Sequence, residues 1–201
     1  AIDEAWRRHG ISASLIMSFL RDRSPAEAME LLSMALPHRE RIVAVGLDSA
    51  EIDHPPREFA TVFSAAHAAG FAAVAHAGEE GPAAYVVEAL DRLRVQRVDH
   101  GVSAAADPAL IERLRDQKIT LTMCPLSNLR LGVVPSLSAH PLKRLLDAGV
   151  RVTVNSDDPA YFCGYLADNY LAAHAALDLS EMDIRRLAAN SISGSFLSRT
   201  R

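Results

Sequence analysis

Short β-like runs and longer helical patterns alternate without a break along the chain. This alternation restricts the fold more than any other feature of the sequence. Ile11–Leu20 (ISASLIMSFL) is a bounded apolar run, and Ser24-Pro25 opens a helix after it. Ser stands there at the N-cap and Pro at the first helical position, where its missing N–H costs nothing. Arg41–Leu47, Phe71–Ala75, Gln96–Asp99, Lys118–Met123 and Arg151–Val154 read as five further strands. Helical patterns stand between them over Pro56–Ala69, Pro82–Leu93, Asp107–Leu114 and Leu137–Ala148, with two more near Gly164–Ala176 and Ser180–Ala189. Ser180 with Asp183 three residues on predicts a capped start for the last of these, and Ala1–Gly10 reads as the end of a helix stopped by Gly10. Six strand–helix units in a row define an α/β chain. Strands that are apolar throughout, such as Phe71–Ala75, suit a parallel sheet covered on both faces. At this level a barrel and a doubly wound sheet both remain open. Leu126–Pro135 shows no periodicity and is expected to be a functional loop.

Length and composition set the outer limits. The 201 residues contain no linker or low-complexity stretch, so one domain over 1–201 is expected. They fall short of the roughly 250 residues of a complete (β/α)8 barrel. A net charge of −4 argues against a nucleic-acid partner, which calls for a basic surface. The 49% hydrophobic content is enough for a core and argues against disorder. No run of 18 apolar residues and no leader pattern occurs, so neither a membrane span nor secretion is expected. The two cysteines, Cys124 and Cys163, make no disulfide framework, and a reducing cytoplasm is the expected setting. Standing 39 positions apart, they also exclude the paired-cysteine zinc site of cytidine-type deaminases. No phosphate-binding glycine loop is present.

The polar residues fall in one kind of place. Nearly every strand runs into unusual chemistry: Asp48-Ser49-Ala50-Glu51, His76-Ala77-Gly78-Glu79, Asp99-His100-Gly101, Cys124-Pro125-Leu126-Ser127-Asn128 and Asn155-Ser156-Asp157-Asp158-Pro159. Taken singly, each has a plain structural explanation. A histidine after a strand is commonly just hydrogen-bonded, and Asp-Asp-Pro commonly caps a helix. Five such clusters at the same end of successive strands are another matter, because α/β folds gather strand C-termini around their ligand sites. Imidazole nitrogens with carboxylates suit a divalent first-row metal, which activates water. Glu79, just past the strand end, is placed for proton transfer. Cys124 reads as a buried structural residue, and Ser127 and Asn128 as loop-shaping hydrogen-bonders.

These motifs, in this order, resemble those of the adenosine/adenine deaminases of the metal-dependent amidohydrolase superfamily, over Ile11–Arg201. The resemblance implies a (β/α)8 barrel of which strands 3 to 8 are present. It implies His76 and Asp157 as zinc ligands, with iron or manganese also able to use these donors. Glu79 is implied as the group protonating purine N1, His100 as the group orienting the attacking hydroxide, and Asp158 as a purine contact. The segment Gly46–Glu51 followed by His54-Pro55-Pro56 is similar to the adenine branch, with Ser49 and Glu51 as substrate contacts and Glu51 accepting the N9 proton of a free base. The implied reaction converts adenine to hypoxanthine and ammonia. Adenosine, N6-substituted and other 6-aminopurines are the alternative substrates, and a non-catalytic barrel fragment is the alternative class. One departure is large. The family carries a His-x-His pair at the end of strand 1, and no two of the eight histidines here are separated by one residue. A further N-terminal segment of the same protein is therefore expected to complete the site.

Overall fold

The computed structural model describes residues 2–197. Six strands, β1 (Leu15–Leu20), β2 (Ile42–Asp48), β3 (Ala72–Ala77), β4 (Arg97–His100), β5 (Thr120–Met123) and β6 (Arg151–Val154), alternate with helices. The first helix, α1 (Ile2–His9), precedes β1. The others are α2 (Pro25–Ala35), α3 (Ala60–Ala68), α4 (Ala83–Glu88), α5 (Pro108–Asp116), α6 (Pro125–Arg130), α7 (Leu142–Asp147), α8 (Pro159–Phe162), α9 (Leu166–Leu177) and α10 (Glu181–Ser193). Local signals place several starts. The Ser24 side chain accepts from the Glu27 N–H, Asp107 from Ala109 and Leu110, and Ser180 forms the expected capping box with Asp183.

All adjacent strands pair in parallel, in the order β1-β2-β3-β4-β5-β6. A doubly wound sheet reverses its order at a switch point. Here no neighbour is skipped, so the chain winds in one direction, as the wall of a (β/α)8 barrel does. This settles the alternative that periodicity leaves open. Among the described residues no helix is long and apolar enough to cross a membrane.

Strand alternation sorts the two faces of the sheet. Phe19, Leu47, Ala75, Val98, Leu121 and Val152 are all fully buried on the helix-covered face. There Phe19 meets Phe63 of α3 edge-on, with ring centroids 5.9 Å apart. The other face is polar over β3 to β6. Register aligns His76 with Asp99, Asp99 with Thr122 and Thr122 with Thr153. A polar row inside the barrel wall adds little to stability, so its positions point to chemistry.

Two expectations need correction. Leu126–Pro135 is not a structureless loop, because α6 runs from Pro125 to Arg130. The proline supplies a preset first turn, and the Leu126 N–H is capped from a distance by the Asn169 side chain. The first strand starts at Leu15 and not Ile11, since Leu15 is the first residue with a partner on β2.

Candidate active site

The row on the inner face is the floor of the site. His76 lies within β3, one residue before the strand's end. Its Nδ1 is 3.0 Å from Asp48 Oδ1 and 4.0 Å from Asp99 Oδ2, yet no acceptor is aligned with it. Asp99 is held by Thr122, whose hydroxyl donates at 2.5 Å, and by Arg97 Nε at 3.2 Å. The strand ends are fixed from outside by Arg21, a fully buried residue just past β1. Its Nε donates to the His54 carbonyl and a guanidinium NH donates to the His76 carbonyl.

The loop after β3 carries Glu79 and is shaped by Glu51. The Glu51 carboxylate is 2% exposed. It accepts four successive backbone N–H groups, Gly78 at 2.5 Å and Glu79, Glu80 and Gly81 at 2.9 Å each. Such convergent amides form an anion nest, filled here by a side chain of the protein itself. Two glycines make the approach feasible. Gly78 has φ +73, and a Cβ there would lie 2.5 Å from Ser103 Oγ; a Cβ on Gly81 would lie 2.8 Å from the Glu51 carboxyl. Both Glu51 oxygens thus hold the loop after β3, Oε1 through one N–H and Oε2 through three.

Above this loop, Glu79 Oε1 lies 3.1 Å from His100 Nδ1, and the Asn128 amide nitrogen reaches both, at 2.9 and 3.1 Å respectively. On the far side of His100, Nε2 is 3.8 Å from Asp157 Oδ2. The His76 and His100 rings stand 4.8 Å apart. So His76, Glu79, His100 and Asp157, drawn from three strand ends, share one place. Ser49, His100 and Asp157 all adopt left-handed backbone angles, with φ of 78°, 65° and 57°. Non-glycine residues hold this conformation at a cost, and such residues cluster at functional sites. A cavity of about 570 Å³ lies elsewhere, against α1 and the start of β1, and includes none of these residues.

Electrostatics separates the roles. Burial pushes the Glu79 carboxyl up, with the charges of Asp157, Glu51 and Glu80 adding to it against His76, and it reaches about 7. A group poised there can both give and take a proton near neutrality. Burial, with the nearby His76, lowers His100 to about 3, so its ring is neutral. Burial also opposes charge on His76, but Asp48, Asp99 and Glu79 outweigh it and lift His76 to about 9. Asp48, despite its burial, is held below the usual carboxylate range by His76 and Ser18. The floor is thus a region of strong negative potential with imidazole and carboxylate donors, which fits a divalent cation. Among the described residues, His100, Cys124 and Asp157 bring ligand atoms within 4.8 Å of one another. Burial and the charges of Asp157, Asp99 and Glu79 push the Cys124 thiol well up. His76 stands beside this group, its ring 4.8 Å from that of His100.

The remaining expected residues lie at the rim. Asp158 is exposed and begins α8 without a side-chain cap, its N–H donating to Asp157 Oδ1 at 3.0 Å. Ser49 is exposed at the end of β2, and its hydroxyl holds Asp22 below the usual carboxylate range. Asn128, read from sequence as loop-shaping, is instead fully buried at the centre of the site. Asp48 and Asp99 could have been found, since both end strands in the quoted motifs. His140, which reaches Asn128 Oδ1 at 3.2 Å, carries no sequence signal.

A family model described as adenosine deaminase matches residues 1–201. The chain is 55% identical over 197 residues to an adenine deaminase of Acinetobacter baylyi, covering 98% of this chain and 59% of that protein. An adenine deaminase of Streptomyces coelicolor is also 55% identical, with 98% and 58% covered. In solved structures, an adenine deaminase from Arthrobacter aurescens superposes with a TM-score of 0.97 at 46% identity, over 100% of this chain and 62% of that one. An amidohydrolase from Burkholderia ambifaria with bound Zn superposes with a TM-score of 0.93 at 30% identity, over 99% and 56%. The chain thus spans somewhat more than half the length of these relatives.

Proposed function

Because the chain belongs to the adenosine deaminase family, we propose that the protein hydrolyses the 6-amino group of a purine, with adenine as substrate and hypoxanthine and ammonia as products. The adenine deaminase relatives at 55% identity support this substrate. The observation that carries the reaction type is Glu79, a carboxyl lifted to about 7 and set 3.1 Å from a neutral buried His100.

We assign the metal to zinc, held by His76 and Asp157. The further donors would come from the part of the full-length relatives that this chain does not span. When bound, the cation polarises water so that it loses a proton near neutral pH. His100 presents Nε2 toward the attacking oxygen and orients it. Glu79 delivers a proton to ring N1 as the oxygen bonds to C6, and is recharged from the attacking water. The second water proton leaves with nitrogen as the C6–N bond breaks, so water and adenine balance hypoxanthine and ammonia. Asp158 and Ser49, exposed at the rim, are assigned to the purine edge.

The test is ammonia release by the metal-loaded full-length enzyme from adenine, adenosine and an N6-substituted adenine side by side. Adenine is expected to be turned over fastest. A clear preference for adenosine overturns the substrate assignment, and no release from any 6-aminopurine overturns the reaction.

A further inference from the structure

We propose that His140, acting through Asn128, is a positioning residue that fixes the proton of His100 on Nε2 and aims an amide N–H at Glu79. This rests on the proposed deamination only for its kinetic consequence; the proton arrangement itself follows from geometry.

The chain of contacts starts at a group whose polarity is known. The backbone N–H of Leu142 can only donate, and it lies 3.2 Å from His140 Nδ1. That nitrogen must therefore offer its lone pair. His140 is 3% exposed, and burial lowers its pKa to about 4, so the ring is neutral and its one proton sits on Nε2. Nε2 then donates to Asn128 Oδ1 at 3.2 Å. With its oxygen so engaged, the Asn128 amide turns its NH2 to the other side. There it meets Glu79 Oε1 at 2.9 Å and His100 Nδ1 at 3.1 Å.

The reverse orientation is unfavourable where Asn128 meets His140 and an ionised Glu79. It would set an amide oxygen against the Glu79 carboxyl and an amide N–H against the His140 Nε2–H. Asn128 is completely buried, so no water relieves either clash. An N–H aimed at His100 Nδ1 requires a lone pair there, which leaves the His100 proton on Nε2, the nitrogen facing Asp157. Asn128 thus fills the one lone pair of His100 Nδ1 and sets its other N–H on Glu79 Oε1. It opposes the alternative, in which His100 carries its proton on Nδ1 and gives it to an ionised Glu79.

This logic is that of ligand-orienting hydrogen bonds around metal sites, where loss of an outer partner costs about 10- to 100-fold. Here the chain runs from a backbone amide over two side chains, from α7 through α6 to the ends of β3 and β4.

The test uses the metal-loaded full-length enzyme and two readouts. Nitrogen NMR of the histidine rings reports which nitrogen carries the proton. The wild type is expected to show Nε2–H on both His100 and His140. His140→Leu removes the donor to Asn128 and is expected to shift His100 toward Nδ1–H, lowering kcat about 10- to 100-fold with KM within about threefold. His140→Gln keeps a donor for Asn128 and is expected to retain most of kcat and the His100 tautomer. Nδ1–H on His100 in the wild type overturns the proposal. So does a Leu variant with unchanged tautomer and kcat, or a Gln variant as impaired as the Leu variant. If His140→Leu does not fold, the wild-type spectrum and the Gln variant still decide. If the wild type turns over no purine, the deamination reading fails, while the spectra judge the proton arrangement independently.

Discussion

The two ends of the sheet use the same backbone conformation for different ends. Where helices feed into the N-termini of β3, β5 and β6, the chain turns by one repeated device. Gly70, Lys118 and Gly149 adopt left-handed angles, and the next residue's N–H reaches back five positions, from Phe71 to Ala66, Ile119 to Leu114 and Val150 to Leu145. This is the Schellman closure, with an apolar residue after the stop. Arg94 turns the chain into β4 in a related way, after a stretch of π-helix. At the C-terminal end, Ser49, His100 and Asp157 are also left-handed. The strain at one end of the sheet ends helices cheaply, and at the other it falls on residues of the candidate site. Substitutions at the N-terminal end are therefore expected to move stability and leave catalysis alone. Those at the C-terminal end are expected to do the reverse, except where a buried carboxylate serves both.

The largest effect tests the catalytic end. Glu79→Gln keeps the hydrogen bond from Asn128 but cannot transfer a proton. It is expected to lower kcat by about 10² to 10⁴ with bound metal and Tm retained. Retained turnover would remove Glu79 from its role. Glu51→Ala is the case that crosses the boundary. It orphans four backbone N–H groups, of which the two buried ones, of Gly78 and Gly81, each cost about 1–3 kcal/mol when left unpaired. A loss of about 3 kcal/mol or more in urea unfolding is expected together with loss of turnover. A variant that lost only one of the two would restore a clean division between the ends.

The pH dependence of stability sharpens the same contrast, because the shifted groups sit at the catalytic end. His140 titrates at 6.5 ordinarily and at about 4 when folded, and burial moves His100 further, to about 3. Their contribution is fully present above pH 6.5 and is lost as pH falls through about 4 to 3. Glu79 runs the other way. Raised from 4.5 to about 7, its contribution is present below pH 4.5 and is lost as pH rises through 7. Urea midpoints of metal-free protein from pH 4 to 8 are expected to show both limbs. His140→Gln should flatten the acid one, and Glu79→Gln should flatten the neutral one up to about pH 7, the loss of charge on His76 carrying it on toward 9.

The smallest effects belong to the other end. Gly149→Ala forces a side chain onto φ +86, with its Cβ 3.3 Å from Arg115, and is expected to cost about 1–2 kcal/mol. Arg94, exposed with φ 52°, pays that strain already, so Arg94→Gly should gain roughly 1 kcal/mol. Both should leave kcat unchanged; a change in kcat would show that the two ends are coupled.

What the sequence by itself determined is what short-range physics writes into it. The helix starts at Ser24, Asp107 and Ser180 follow from side chains that cap their own N–H groups. The six strands follow from apolar runs, and the convergence of His76, Glu79, His100 and Asp157 follows from their shared place after or at strand ends. The tertiary structure alone decided the rest. The order of winding depends on which strands pair, and an alternating pattern is compatible with more than one order. Glu51 was legible as a carboxylate near the site, but its capture by the loop after β3 depends on amides 27 to 30 residues away. Asn128 and His140, 12 residues apart on no common period, became partners only when α6 and the turn before α7 were brought over the strand ends. A hydrogen bond is chosen by what lies within 3 Å of a buried group. Sequence spacing predicts that only inside one turn or one strand pair.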